Sequence, residues 1–223
     1  EGIEVFQNEK YYLLKKNVII ESDNFSLRAD NVKINFDEDM YDIVQIDAKG
    51  KVNFDSITFN SNGSGEKLNL KVKLEEIKVE GVDSILSTDD FEMLSDGYIE
   101  VNNISGKFSI QGQNSKLINK EIYIEGEGID GIFSNKNNEK EITLLYVSDS
   151  DLSYVKNNSA EMYAKKINFS NETSIIELID EVTIIRNGEK ITGDYGTIDT
   201  KNNSYKIKSN DKTKVKAIIK NNE

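Results

Sequence analysis

Apolar residues recur at every second position along most of this chain, the period of a strand with one covered face. Residues 17–37, NVIIESDNFSLRADNVKINFD, show it three times: Val18 and Ile20, then Phe25, Leu27 and Ala29, then Val32, Ile34 and Phe36. Leu68, Leu70, Val72 and Leu74 in KLNLKVKLE repeat it, as do Ile122 with Ile124, Ile142 with Leu144, and Val182 with Ile184. Turn signals separate the runs at Asp37-Glu38-Asp39, Asn62-Gly63-Ser64-Gly65, Asn135-Lys136-Asn137-Asn138, Asn187-Gly188 and Asn202-Asn203. Asn187-Gly188 is the strongest hairpin signal, because a tight primed turn needs positive φ at both central residues. Strands of about 8–12 residues between such signals predict an all-β sandwich, barrel or jelly roll. Residues 82–96, VDSILSTDDFEMLSD, admit either a turn or one short helix, with Asp89 and Asp90 suiting its first turn. No linker composition interrupts the pattern, so a single domain over residues 1–223 is expected.

Composition removes whole classes of chemistry. The chain has no His and no Cys, so Ser-His-Asp triads, Cys-His pairs, thiolate metal sites and disulfides are excluded. A net charge of −12 repels phosphate backbones, which argues against nucleic acid as a partner. No amphipathic segment carries the Lys/Arg face of an interfacial helix. No leader-like or membrane-spanning segment is legible, so the sequence reads as a mature form or one from which a leader was removed. The cysteine count does not locate the protein. GEGIDG (126–131) is like one turn of a calcium-binding β-roll, but such sites need tandem copies. Acidic pairs such as Asp89-Asp90 and Asp149/Asp151 lack EF-hand spacing. No metal and no cofactor are expected, nor any catalytic residues.

The chain also repeats itself. NVIIESDNFSLRADNVKINFDEDMY (17–41) aligns without a gap on EVTIIRNGEKITGDYGTIDTKNNSY (181–205). Val18 meets Val182, Ile20 meets Ile184, Leu27 meets Ile191, Asp30 meets Asp194, Ile34 meets Ile198 and Tyr41 meets Tyr205. Ala29 meets Gly193, small for small, so apolar phase, turn position and a small-Asp pair travel together. IVQIDAKGKVNF (43–54) is a weaker partial copy. Repeats of this kind mean one supersecondary unit stacked on its neighbours.

The repeated pattern resembles the OstA-like family of periplasmic lipopolysaccharide-transport bridge proteins. IIRNGEKITGDYGTIDTKNNSYKI (184–207) carries the resemblance best, followed by VIIESDNFSLRADNVKINFD (18–37) and DAKGKVNF (47–54). It covers residues 12–54 and 160–216; the middle fits only as more strands of the same style. Where the family usually has Gly at the strand start, this chain has Lys16 and Asp180. The resemblance implies a twisted antiparallel β-jelly roll, open along one side, whose apolar trough holds the acyl chains of lipopolysaccharide. It implies a non-enzymatic carrier in the periplasm that passes lipopolysaccharide toward the outer membrane. Partners would be other OstA-like proteins, or further copies as a homo-oligomer, stacked edge to edge.

Trough-lining candidates are Val18, Ile20, Phe25, Leu27, Val32, Ile34, Phe36, Ile46, Phe54, Val182, Ile184, Ile191 and Ile198. From the residues alone, each serves equally to fill a closed core; only the resemblance assigns lipid. The expected free edges are residues 4–14 and 212–220, with Lys15, Lys16, Lys214 and Lys216 readable as edge guards or as part of a pairing surface. Two other readings stay open: the same fold as an inner-membrane-anchored component of the transport system, and a β-repeat scaffold with a closed core. An acidic glycosidase-like sandwich ranks below them, because forty acidic residues place carboxylate pairs anywhere.

Overall fold

A computed structural model describes residues 2–136, 139–210 and 214–218. Every regular element among them is a strand: β1 (Gly2–Phe6), β2 (Tyr11–Ser22), β3 (Phe25–Phe36), β4 (Ile43–Ser56), β5 (Ser61–Lys71), β6 (Glu76–Glu80), β7 (Ser84–Thr88), β8 (Glu92–Ser95), β9 (Tyr98–Asn102), β10 (Lys107–Ile118), β11 (Ile122–Lys136), β12 (Glu139–Asn157), β13 (Glu161–Ser170), β14 (Ile175–Arg186), β15 (Glu189–Asp199), β16 (Ser204–Lys208) and β17 (Lys216–Ile218). The fold is all-β and antiparallel, of jelly-roll type. Two compact units divide the chain, residues 1–112 and 113–223.

In the first unit, β1 to β5 pair in chain order. β5 then pairs with β6 through residues 67–71 and with β7 through residues 61–64. β6 pairs with β9, β7 with β8, and the start of β10 with β9. Each long strand bends partway, and the register slips where it bends: between Lys15 and Val18, Arg28 and Asn31, and Lys49 and Val52. Inward side chains are buried on both sides of each bend, and the Asn103 amide reaches the Phe59 carbonyl at 3.5 Å, tying together the free ends of the two arms.

The bends explain the repeated small-Asp pair. At the first, Lys16 and Asn17 both take positive φ, 68° and 52°. The matching residues of the second unit, Asp180 and Glu181, do the same at 64° and 56°. The gapless repeat in sequence is therefore a repeated corner in space. Beside the first corner, the Asp30 side chain lies over Gly50, where a β-carbon would sit 2.3 Å from Oδ2. In the second unit Asp194 Oδ2 accepts from the Asn210 amide at 2.7 Å. A β-carbon on Gly193 would meet Ile207 Cγ2 at 2.5 Å, so a small residue is needed where the next strand passes.

Lys16 and Asp180 thus hold a left-handed conformation that favours glycine. That conformation costs an L-residue about 1–2 kcal/mol, partly offset by the unfolded-state entropy that glycine adds. Lys16→Gly and Asp180→Gly are each expected to stabilise by about 0.5–1 kcal/mol, measured by chemical denaturation. A loss of stability in either variant would show that the side chain, not the backbone, sets the corner.

In the second unit β11 to β16 pair strictly in chain order, and β17 pairs on β15. Corner slips recur between Glu125 and Gly128, Ser148 and Ser153, Tyr163 and Lys166, and Ile179 and Val182. The Asn187-Gly188 turn is as expected: φ is 50° and 80°, and Arg186 pairs with Glu189.

Three local expectations are corrected. Residues 82–96 hold no helix but the β7–β8 hairpin, which buries Ser84, Leu86, Met93 and Ser95 at strand period. Asn62–Gly65 is not a turn but lies within β5. Its glycines serve packing: a β-carbon on Gly63 would lie 2.5 Å from the Ile85 carbonyl and 2.8 Å from the Phe54 ring. Residues 4–14 are not one edge strand; Gln7–Lys10 turn the chain so that β1 lies on β2. Of the expected Asn135–Asn138 turn, Asn135 and Lys136 belong to β11, and the last two residues lie outside the described ones. So do residues 212, 213, 219 and 220 of the expected C-terminal edge.

Candidate functional site

The apolar interior of each unit is built from cross-strand ladders. In the first unit one ladder runs Ile3, Leu14, Val32, Ala48, Leu68, Val79, Ile99, Ile110. A second runs Val5, Tyr12, Ile34, Ile46, Leu70, Ile77, Val101, Phe108. On the other arm, Ile20, Leu27, Phe54, Gly63, Leu86 and Met93 follow one another. Burial falls off toward β1. Val79 is 0% exposed and Leu14 half-buried, whereas Ile3, on the same ladder, is 61% exposed. The inner face therefore continues past the packed core onto an open margin.

The second unit has the same gradient at its C-terminal strands. Ile124, Val155, Met162 and Ile184 are buried; their ladder continues through half-buried Ile191 to exposed Ala217. Beyond the corner, another ladder runs from buried Leu145 and Ile176 through half-buried Ile198 to Tyr205, which is 40% exposed.

The structure thus places Val18, Leu27, Val32, Ile34, Phe36, Ile46 and Phe54 in the interior of the first unit. Ile20 and Phe25 are half-buried on the same face. Val182 and Ile184 lie in the interior of the second unit, with Ile191 and Ile198 half-buried toward its margin. Within each unit the candidates pair directly: Ile20 with Leu27, Leu27 with Phe54, Ile34 with Ile46, and Ile184 with Ile191. Sequence reasoning missed interior residues of the middle of the chain, among them Leu86, Met93, Ile99 and Ile129, and Leu178 further on. Their period-2 spacing was the available signal.

Charge stays off these faces. Lys15 Nζ meets Glu4 at 3.0 Å across β1–β2, so Lys15 is engaged within its own hairpin. At the turn end, Lys73 bonds Asp37 and holds its carboxyl below its ordinary value, with Lys10 adding to the effect. A depressed carboxyl contributes stability above its unfolded pKa and loses it as pH falls through the folded one. This pair is exposed, so the contribution is small and screened by salt. Among the described residues no acidic cluster is arranged to hold a metal ion. No helix among them is long and apolar enough to cross a membrane, which leaves strand-built spans unaddressed.

Residues 3–107 match the family model described as LptA/(LptD N-terminal domain) LPS transport protein. Among solved structures the chain is similar to the crystal structure of LptH, the LptA homologous periplasmic component of the conserved lipopolysaccharide transport device from Pseudomonas aeruginosa. The identity is 13%, the TM-score 0.47, and the match covers 59% of this chain and 95% of that one. No curated protein matches the chain by sequence.

Proposed function

We propose, from the premise that residues 3–107 carry the LptA/LptD N-terminal family match, that this chain is a periplasmic, non-enzymatic component of lipopolysaccharide transport. Its apolar interior would hold acyl chains while they pass toward the outer membrane. The observation that carries this reading is the burial gradient: in each unit apolar cross-strand ladders run from packed core to open margin. Each buried CH₂ is worth about 0.8 kcal/mol, so a continuous face of this kind shields a chain that water rejects. The same margins are where another OstA-like sheet, or a second copy, would pair. β1 shows exposed Ile3 and Val5 there, unlike the short charged edges that block association.

Photo-crosslinking side chains at positions 25, 34 and 184, compared with outward positions 33 and 183, test the proposal in cells. Lipopolysaccharide adducts at the inward positions alone are expected. Equal labelling at both sets, or none at the inward set, would sink it. The scaffold reading keeps one observation in its favour, since inward side chains at the centre of each unit are almost wholly buried. It predicts no adduct anywhere.

A further inference from the structure

Near the free ends of β4, β5 and β7 the inner face changes chemistry. The row Leu27, Phe54, Gly63, Leu86, Met93 is apolar. The next inward row toward the turns is Phe25, Ser56, Ser61, Thr88, which sets three hydroxyls side by side on adjacent strands. Two of them are engaged. Ser56 Oγ accepts from the Phe59 amide at 3.3 Å. Thr88 Oγ1 accepts from the Phe91 amide at 3.1 Å and donates to the Phe91 carbonyl at 3.4 Å. Ser61 is 5% exposed, yet its Oγ has no hydrogen-bond partner. Buried hydroxyls in folded proteins are almost always satisfied, because leaving one unpaired sacrifices its hydration for nothing. The flanking Phe59 and Phe91 are buried, so this unpaired hydroxyl lies among apolar side chains.

We propose that Ser61 is the polar anchor of the first unit's interior. Its hydroxyl donates to the carbonyl oxygen of an acyl ester or amide whose hydrocarbon runs along Phe54, Leu27 and Leu86. The inward residues of these two rows include no Lys or Arg, so a carboxylate would be buried without a counter-charge, whereas a neutral carbonyl needs only one donor. This anchor rests on the reading that acyl chains occupy the interior, and it adds where along the chain the polar end stops.

The test uses the whole chain and two probes of equal length, a monoacylglycerol ester and its ether analogue, each competing against a fluorescent fatty-acid analogue. The ester is expected to bind about 3- to 10-fold tighter than the ether, the range one net hydrogen bond supplies. In Ser61→Ala the ester should weaken to the level of the ether, with the ether unchanged. Without lipid, Ser61→Ala should melt no lower than the wild type, since no bond is lost. Equal binding of ester and ether by the wild type would overturn the anchor, as would an ester preference that survives in Ser61→Ala or a lowered melting temperature of that variant. If neither probe displaces the fluorophore, the acyl-chain reading itself fails and the anchor falls with it.

Discussion

Phe54→Ala is expected to destabilise the protein by about 3–5 kcal/mol, read as a shift in the midpoint of urea unfolding at constant slope. Phe54 is 2% exposed and pairs with Leu27 on one side and Gly63 on the other. Its ring fills the space that a side chain on Gly63 would need, with Cε1 2.8 Å from the position of a β-carbon there. Removing the ring therefore loses the transfer energy of a large side chain and leaves a void that glycine cannot fill. Phe54→Leu, which keeps most of the volume, should recover more than half of the loss. If Phe54→Ala costs under about 1 kcal/mol, the interior collapses readily around the gap and is not packed as described.

Gly97→Val should cost about 3 kcal/mol or more by the same measurement, for a different reason. Gly97 sits at the corner between β8 and β9, and a β-carbon there would lie 2.2 Å from the Gln111 carbonyl oxygen. Gly112 presses on it in turn: φ is 135°, and a β-carbon would lie 2.5 Å from Gly97 N. Ser95 Oγ donates to the Gln111 carbonyl at 2.6 Å and accepts from Gly97 N at 3.0 Å, locking the same corner. The obstructing atoms are backbone, so no rotamer change relieves the clash. Gly97→Ala already meets that oxygen and should show most of the effect. A variant as stable as the wild type would mean that this corner opens at little cost.

The strands were legible because period 2 marks a face whatever the fold around it. Val18 to Phe36 and Val182 to Ile184 read correctly as inward on that basis alone. Ile142 and Leu144 show where the rule runs out. A bulge opposite Ile132/Phe133 moves the inward phase, so the fully buried residues that follow are Leu145 and Val147. The corners were visible as a repeated small-Asp pair, but their backbone was not. Lys16-Asn17 and Asp180-Glu181 carry positive φ with no glycine to announce it. Asn62–Gly65 failed in the opposite sense, since its glycines answer to a neighbouring ring and backbone that only the tertiary fold supplies. The candidate set was legible as an inward face. Where that face meets solvent depends on which strand lies last, and no local pattern encodes that.

The strict chain-order pairing of β11 to β16 has a consequence for how this unit is assembled and how it changes in length. Each strand finds its partner one turn away, so the search for native pairs is short despite the all-β composition. Energies then add neighbour by neighbour, as in solenoids. Excising one hairpin pair together with its two corners would keep every remaining strand in phase and its inward row continuous. Such a unit lengthens or shortens by whole hairpins, and its stability is expected to scale with their number while the chemistry of its inward face stays the same.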